Sequence, residues 1–396
     1  MKNYYLLSNG RIRRENNTLT IESADGKKRP IPVENVDTLY FYGEVDLNTR
    51  LLNFLSQKKI VAHVFNHYGF YSGSYYPREY LHSGFLLVRQ VAHYTEPARR
   101  LELGREILRG AAHSLIRNIA YYSHRREGNA AEEREPEGEI GADLPSHPDV
   151  ADDVETEALE DMNELPPLVE TSSHSLGEED DLFACLVEIG ATTETLAHLK
   201  GVLMGLTAQI EKQTEVNALR GIEGKMRERY YAAWSHILSN SWDFTRRVRR
   251  PPDNEVNALI SFGNTHLYTV CLSELYRTQL TPTISYLHEP GARRFSLALD
   301  LSEIFKPLIV DRAIFRLLNT KQLRPEHFDR KLNGCYLNDV GRRLFLAALE
   351  ERLGTTIKHR RLGRHVSYRH LIRLECYKLI RHLTGLETYK AFRAWW

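Results

Sequence analysis

Four side chains of this 396-residue sequence have types and spacings that suit chemistry: Glu223, His288, Asp300 and Glu303. All four stand in largely apolar stretches, where a charge without a partner is costly to bury. The run from Phe295 to Phe305 is apolar on nearly every face and reads as a buried helix. Asp300 and Glu303 are three apart and project from one side of it. His288 precedes the turn signal Glu289-Pro290-Gly291, so the loop that follows can fold back and bring imidazole and carboxylates together. Glu223 stands between Gly221 and Gly224, at the head of a helical segment expected over Lys225 to Leu238. Each glycine costs a helix about 1 kcal/mol relative to alanine, and a close backbone approach would account for both.

Carboxylates with one imidazole suit Mg²⁺ or Mn²⁺, the nitrogen favouring Mn²⁺. No cysteine lies among them, which argues against a structural zinc site. Such a cation could act on a phosphodiester. No serine or cysteine constellation points to a covalent protein intermediate. From spacing alone, a turn-capping histidine beside a helix with two paired carboxylates is the simpler reading.

The elements that must position these groups fall into two regions, an α+β chain with a small β-rich region ahead of a larger, mostly helical one. Tyr4–Leu7, Leu19–Glu22, Lys28–Val33, Val36–Tyr42 and Ile60–Phe65 read as strands, with a short helix from Asn48 to Lys58. Asn9-Gly10 and Asp25-Gly26 are hairpin signals between such runs. A Gly/Tyr-rich turn follows, and its aromatics Tyr68, Phe70, Tyr71, Tyr75 and Tyr76 read as sheet-packing residues. From Leu81 apolar residues recur at helical spacing. The divisions are 1–80, a β-rich domain; 127–181, an acidic and disordered insertion; and 81–126 with 182–396, a helical domain.

A formal net charge of +1 conceals opposed parts. Residues 127–181 hold 20 acids and one base, leaving 52 bases against 32 acids elsewhere. The stretch has too few apolar residues to build a core. A body with net charge +20 fits a polyanion. Two basic clusters would contact phosphates: Arg246, Arg249 and Arg250 before the Pro251-Pro252 turn, and Lys358, Arg360, Arg361 and Arg364 in the tail. Arg293 and Arg294, just after His288, are placed to hold a scissile phosphate.

Four motifs in order carry a resemblance: Arg-Gly-Ile-Glu-Gly (220–224), Arg-Arg-Pro-Pro-Asp-Asn-Glu-Val-Asn-Ala-Leu-Ile-Ser-Phe-Gly (249–263), Leu-His-Glu-Pro-Gly (287–291) and Asp-Leu-Ser-Glu-Ile-Phe-Lys-Pro (300–307). Together with the run from Ser367 to Gly385 and the ending Ala394-Trp395-Trp396, they are similar to the Cas1 family, the CRISPR-associated integrases and endonucleases. The likeness spans about 1–122 and 183–396. It implies that Glu223, His288 and Glu303 are both catalytic and metal-ligating, with Asp300 an additional acid, and that Mg²⁺ or Mn²⁺ is the cofactor. Many relatives carry Asp where this chain has Glu303. The resemblance also implies insertion of spacer DNA into a repeat by 3′-hydroxyl attack. The implied partners are double-stranded DNA (spacer precursor and CRISPR repeat), a second copy of the chain through the β-rich domain, and the adaptation protein Cas2. Two other readings use the same residues: a nuclease of branched DNA in repair, and a non-catalytic DNA-binding protein. Cys185, Cys271, Cys335 and Cys376 read as reduced core thiols, and no signal peptide or membrane span is recognisable, so a cytoplasmic protein is expected.

Overall fold

A computed structural model describes residues 2–23, 26–77, 81, 83–126, 195–238, 242–249, 251–291, 295–331 and 334–395. The acidic stretch 127–181, Cys185, Arg250, Arg293 and Arg294 lie outside the described residues.

The β-rich region holds two four-stranded sheets. Strands β1 (Lys2–Leu6), β5 (Val36–Phe41), β7 (Val61–Phe65) and β8 (Tyr71–Tyr75) form one, with β1, β5 and β7 parallel and β8 antiparallel to β7. The other runs β4 (Lys28–Pro32), β3 (Thr18–Ser23), β2 (Gly10–Glu15), β6 (Val45–Asp46). The Asp25-Gly26 signal matches the antiparallel β3–β4 pair, and Gly26 has φ +79°. Asn9-Gly10 makes no hairpin: β1 pairs with β5, whereas β2 belongs to the other sheet. The backbone explains the choice. Asn9 Oδ1 accepts from the Glu44 amide (2.9 Å), and a Cβ on Gly10 would lie 2.4 Å from the Glu22 carbonyl oxygen. The pair thus serves strand crossing rather than a two-residue turn. Helix α1 (Thr49–Gln57) is capped by Asn48, whose side chain accepts from the Leu51 amide.

Alternation along β5 sorts its side chains between two cores. Leu39 and Phe41 join Ile12, Leu19, Leu51 and Phe54 in a small core between the sheets and α1. Tyr40 and Tyr42 face the helices. Aromatics on both sides of Gly69 pack across that seam. Tyr71 meets Tyr268 at 5.6 Å, Tyr76 meets Tyr276 at 4.8 Å, and Tyr68 meets Tyr336 at 4.7 Å. Tyr71, against Phe65 at 6.2 Å, and Tyr75, against the small core, also pack within the β-rich region as expected.

The helical region follows with α2 (Gly84–Thr95), α3 (Pro97–Arg126), α4 (Leu196–Ile210), α5 (Val216–Ala232), α6 (Trp234–Ile237) and α7 (Glu255–Tyr276). Then come α8 (Ser296–Lys306), a π-turn (Pro307–Asp311), α9 (Arg312–Asn319), α10 (Asp339–Gly354) and α11 (Tyr368–Leu383). Two antiparallel hairpins interrupt it, β9 (Phe328–Lys331) with β10 (Gly334–Leu337), and β11 (Thr356–Lys358) with β12 (His365–Ser367), where helix alone was expected. Helix α7 is buried nearly all round, as an apolar helix without a polar face must be. The C-terminal segment folds back on α3, where Glu106 accepts from the Ala391 amide (3.0 Å). Gly110 makes room for it, since a Cβ there would lie 2.7 Å from that of Ala391. Among the described residues no helix is long and apolar enough to cross a membrane, and Cys271, Cys335 and Cys376 are free and buried.

Candidate metal centre

Glu223 is carried by α5, which starts earlier than the sequence suggested and takes both Gly221 and Gly224 into its interior. Nothing lies within 4 Å of where a Cβ on Gly221 would stand, so the close backbone approach expected there is absent. Glu303 and Asp300 come from α8, which is packed against α3 and α7. His288 comes from the loop before α8. That loop is pinned from both sides: Arg100 pairs with Glu289 (2.7 Å) and the Ser285 hydroxyl donates to the His288 carbonyl (2.6 Å).

The chain brings Glu223, His288 and Glu303 together, with one ligand-capable atom of each lying within 4.8 Å of the others. Asp300 stands beside this trio in a different posture. It is wholly buried, and its oxygens accept from the backbone amides of Tyr286 (2.7 Å), Leu287 (3.0 Å) and His288 (3.0 Å). Asp300 Oδ1 also meets His288 Nδ1 at 2.8 Å. With Nδ1–H donating there, Nε2 keeps its lone pair for another partner, which is the arrangement that orients a metal-binding histidine.

Two cations missing from the sequence reading complete the site. Arg227 and Lys306 both pair with Glu303. Their spacing was the available signal: Arg227 is one helical turn after Glu223, and Lys306 one turn after Glu303. Burial raises the Glu223 carboxyl, and the neighbouring Glu303 raises it further. Burial would raise Glu303 as well, but Arg227, Lys306 and His288 together hold it well below the usual carboxylate range. Burial pulls His288 down, yet Glu223, Asp300 and Glu303 outweigh it and push the imidazole up to about 9. The surroundings favour positive charge between the carboxylates. With His288 neutral, as a ligand must be, three carboxylates face two cations, and an oxygen-rich, closely convergent donor set with one imidazole fits a divalent ion.

The remaining residues of the sequence reading are dispersed. Arg249 is exposed, Arg246 half-buried. Their neighbour Arg247 is structural, with its guanidinium donating to Asn257 Oδ1 (3.0 Å) and Ser261 Oγ (2.9 Å). Lys358, Arg360, Arg361 and Arg364 are exposed around the β11–β12 hairpin, Arg360 lying over the Trp395 ring and Arg361 paired with Glu387. Further along the tail, Arg369, Arg373 and Arg393 pair with Glu350, Glu274 and Glu106.

The chain matches the family described as CRISPR associated protein Cas1 over residues 4–156 and 187–351, and it belongs to that family. It is 44% identical to the CRISPR-associated endonuclease Cas1 2 of Moorella thermoacetica over 100% of both chains, an alignment that runs through residues 127–181. Among solved structures it resembles a Cas1 protein from Thermotoga maritima, at 35% identity and TM-score 0.73, covering 99% of this chain and 100% of that one. A casposase bound to integration product shares the fold, with 16% identity, TM-score 0.73, and 99% and 93% of the two chains covered.

Proposed function

We propose that this protein is a metal-dependent DNA integrase and endonuclease that inserts spacer DNA into a CRISPR repeat by transesterification. The observation that carries the reading is the convergence of Glu223, His288 and Glu303 within 4.8 Å, in a chain of the Cas1 family. These three residues would hold Mg²⁺ or Mn²⁺. When bound, such an ion supplies Lewis-acid polarisation of the scissile phosphate and stabilises charge on its oxygens. Asp300 would hold the proton of neutral His288 on Nδ1, leaving Nε2 as the ligand atom. Arg227 and Lys306 keep the Glu303 carboxylate ionised and stationary. The 3′-hydroxyl oxygen of the incoming DNA forms a new P–O bond, while the target strand's own 3′-oxygen leaves and takes up a proton. One phosphodiester replaces another, and water in place of the hydroxyl gives hydrolysis.

Partners follow from charge and family. Outside residues 127–181 the body carries a net +20, which suits double-stranded DNA. Arg246, Arg249, Arg250, Arg293, Arg294, Lys358, Arg360, Arg361 and Arg364 would contact its phosphates without reading sequence. A second copy of the chain and Cas2 complete the assembly, which works in the cytoplasm.

The test is strand joining with purified Cas2, a labelled duplex fragment and a supercoiled plasmid bearing a leader and repeat, in Mn²⁺ or Mg²⁺. Wild type joins the fragment; Glu223→Ala binds the DNA and joins none. Equal joining by both removes Glu223 from the site. Cleavage of branched DNA without joining moves the protein to repair.

A further inference from the structure

Helix α8 does not end in a loop; it runs through the π-turn Pro307–Asp311 into α9. A π-turn takes backbone groups off the regular ladder, and Pro307 brings no N–H of its own. This irregularity begins one helical turn beyond Glu303, so whatever holds it also holds the carboxylate's place. One side chain reaches it from α3. Asn118 is wholly buried, and its Nδ2 donates to the Pro307 carbonyl (3.1 Å) and to the Tyr230 hydroxyl (2.6 Å). Its Oδ1 accepts from Arg312 Nε (3.0 Å). Tyr230 in turn donates to Asp311 Oδ2 (2.9 Å). Both amide protons of Asn118 are used, and so is its oxygen, which fixes the orientation of the group.

Tyr230 belongs to α5, as Glu223 and Arg227 do, and the three share one helix face by their spacing. Helix α5 is therefore tied to the α8 track twice. Arg227 pairs with Glu303 at the site, and Tyr230 bonds Asp311 two helical turns further along. A sliding of one helix along the other would break both ties and change the distance between the two carboxylates.

We propose that Asn118, Tyr230 and Asp311 form a buried brace that sets the offset of α5 against α8, and with it the spacing of Glu223 and Glu303 on which cation affinity depends. They are positioning residues, and the inference rests on reading the trio as a metal centre. A polar cluster so fully satisfied also stabilises the fold, so a lowered melting temperature does not by itself count in favour.

The test is Mn²⁺ binding to the full chain by calorimetry without DNA, beside the melting temperature in EDTA. Tyr230→Phe removes one hydroxyl and keeps the ring. Asp311→Asn keeps an acceptor for Tyr230. The brace predicts Mn²⁺ affinity about tenfold weaker in Tyr230→Phe and within about twofold of wild type in Asp311→Asn. Asn118→Asp, which keeps the Arg312 contact and loses both donors, gives the same comparison should Tyr230→Phe not fold. Wild-type affinity in Tyr230→Phe or Asn118→Asp overturns the brace, whatever the melting temperatures. Absence of Mn²⁺ binding in wild type instead overturns the metal centre itself, and the brace with it.

Discussion

Two clusters in this molecule set a histidine beside glutamate and arginine, and they settle their charge in opposite ways. At the seam between the β-rich and helical regions, one carboxylate, Glu350, takes donors from Tyr5, Asn3 and Arg369. Burial keeps the adjacent His266 below its ordinary pKa, so it stays neutral, while the Glu350 carboxyl, despite burial, is held down at about 2 by His266, Arg369 and Tyr5. That cluster sets one cation, Arg369, against one carboxylate, and it fastens two regions together. In the candidate metal centre the histidine is pushed up instead, to about 9. Once His288 is neutral, as a ligand must be, the carboxylates of Glu223, Asp300 and Glu303 have only Arg227 and Lys306 against them. Buried charges that balance one another are architecture. Groups left short of positive charge mark a place for something the chain does not supply.

The comparison breaks most visibly at Glu223. Glu223→Gln keeps the shape and removes a ligand charge, and strand joining is expected to fall on the order of 10³-fold. The same change relieves repulsion with Glu303, so the melting temperature in EDTA should hold or rise. A clear drop would place Glu223 among the structural residues.

Asp300→Asn is the next largest. It disturbs the partner of His288 Nδ1, and Mn²⁺ affinity measured by calorimetry should weaken by roughly 10- to 100-fold. The seam cluster answers to stability rather than to metal. Glu350→Gln should cost roughly 2 kcal/mol in urea unfolding at neutral pH, with Mn²⁺ binding unchanged. Its pH signature has a definite sign. Folding lowers the Glu350 pKa from 4.5 to about 2, so its stabilisation is complete above 4.5 and lost as pH falls through 2. Wild type should lose stability across that window by this route, and Glu350→Gln should lack the limb. The smallest effect falls on the exposed hairpin. Arg360→Ala should weaken DNA binding severalfold and lower the salt slope by about one, leaving the metal site as it was.

How much of this was legible in the sequence depended on distance along the chain. Local rules found α1, the β3–β4 turn and the common face of Asp300 and Glu303, because each rests on residues a turn or a strand apart. The meeting of His288 with α8 was within reach for the same reason. What local rules could not supply was the partner of each group. Asn9-Gly10 reads as a hairpin until Glu22 and Glu44 are known to lie against it. Nor do local rules pair Arg369, Arg373 and Arg393, since the acids that take them up lie outside the tail in sequence. Within the site, the division of labour between Asp300 and Glu303 could not be read from spacing that treats both alike. It is set by three backbone amides that converge on Asp300.

The contrast between the two clusters comes down to which of them takes up a divalent cation. Calorimetric titration of Mn²⁺ into wild type, Glu223→Gln and Glu350→Gln asks this without DNA or turnover. One Mn²⁺ per chain in wild type and in Glu350→Gln, and none in Glu223→Gln, is the expected result. Undiminished binding in Glu223→Gln, or none in wild type, would contradict it.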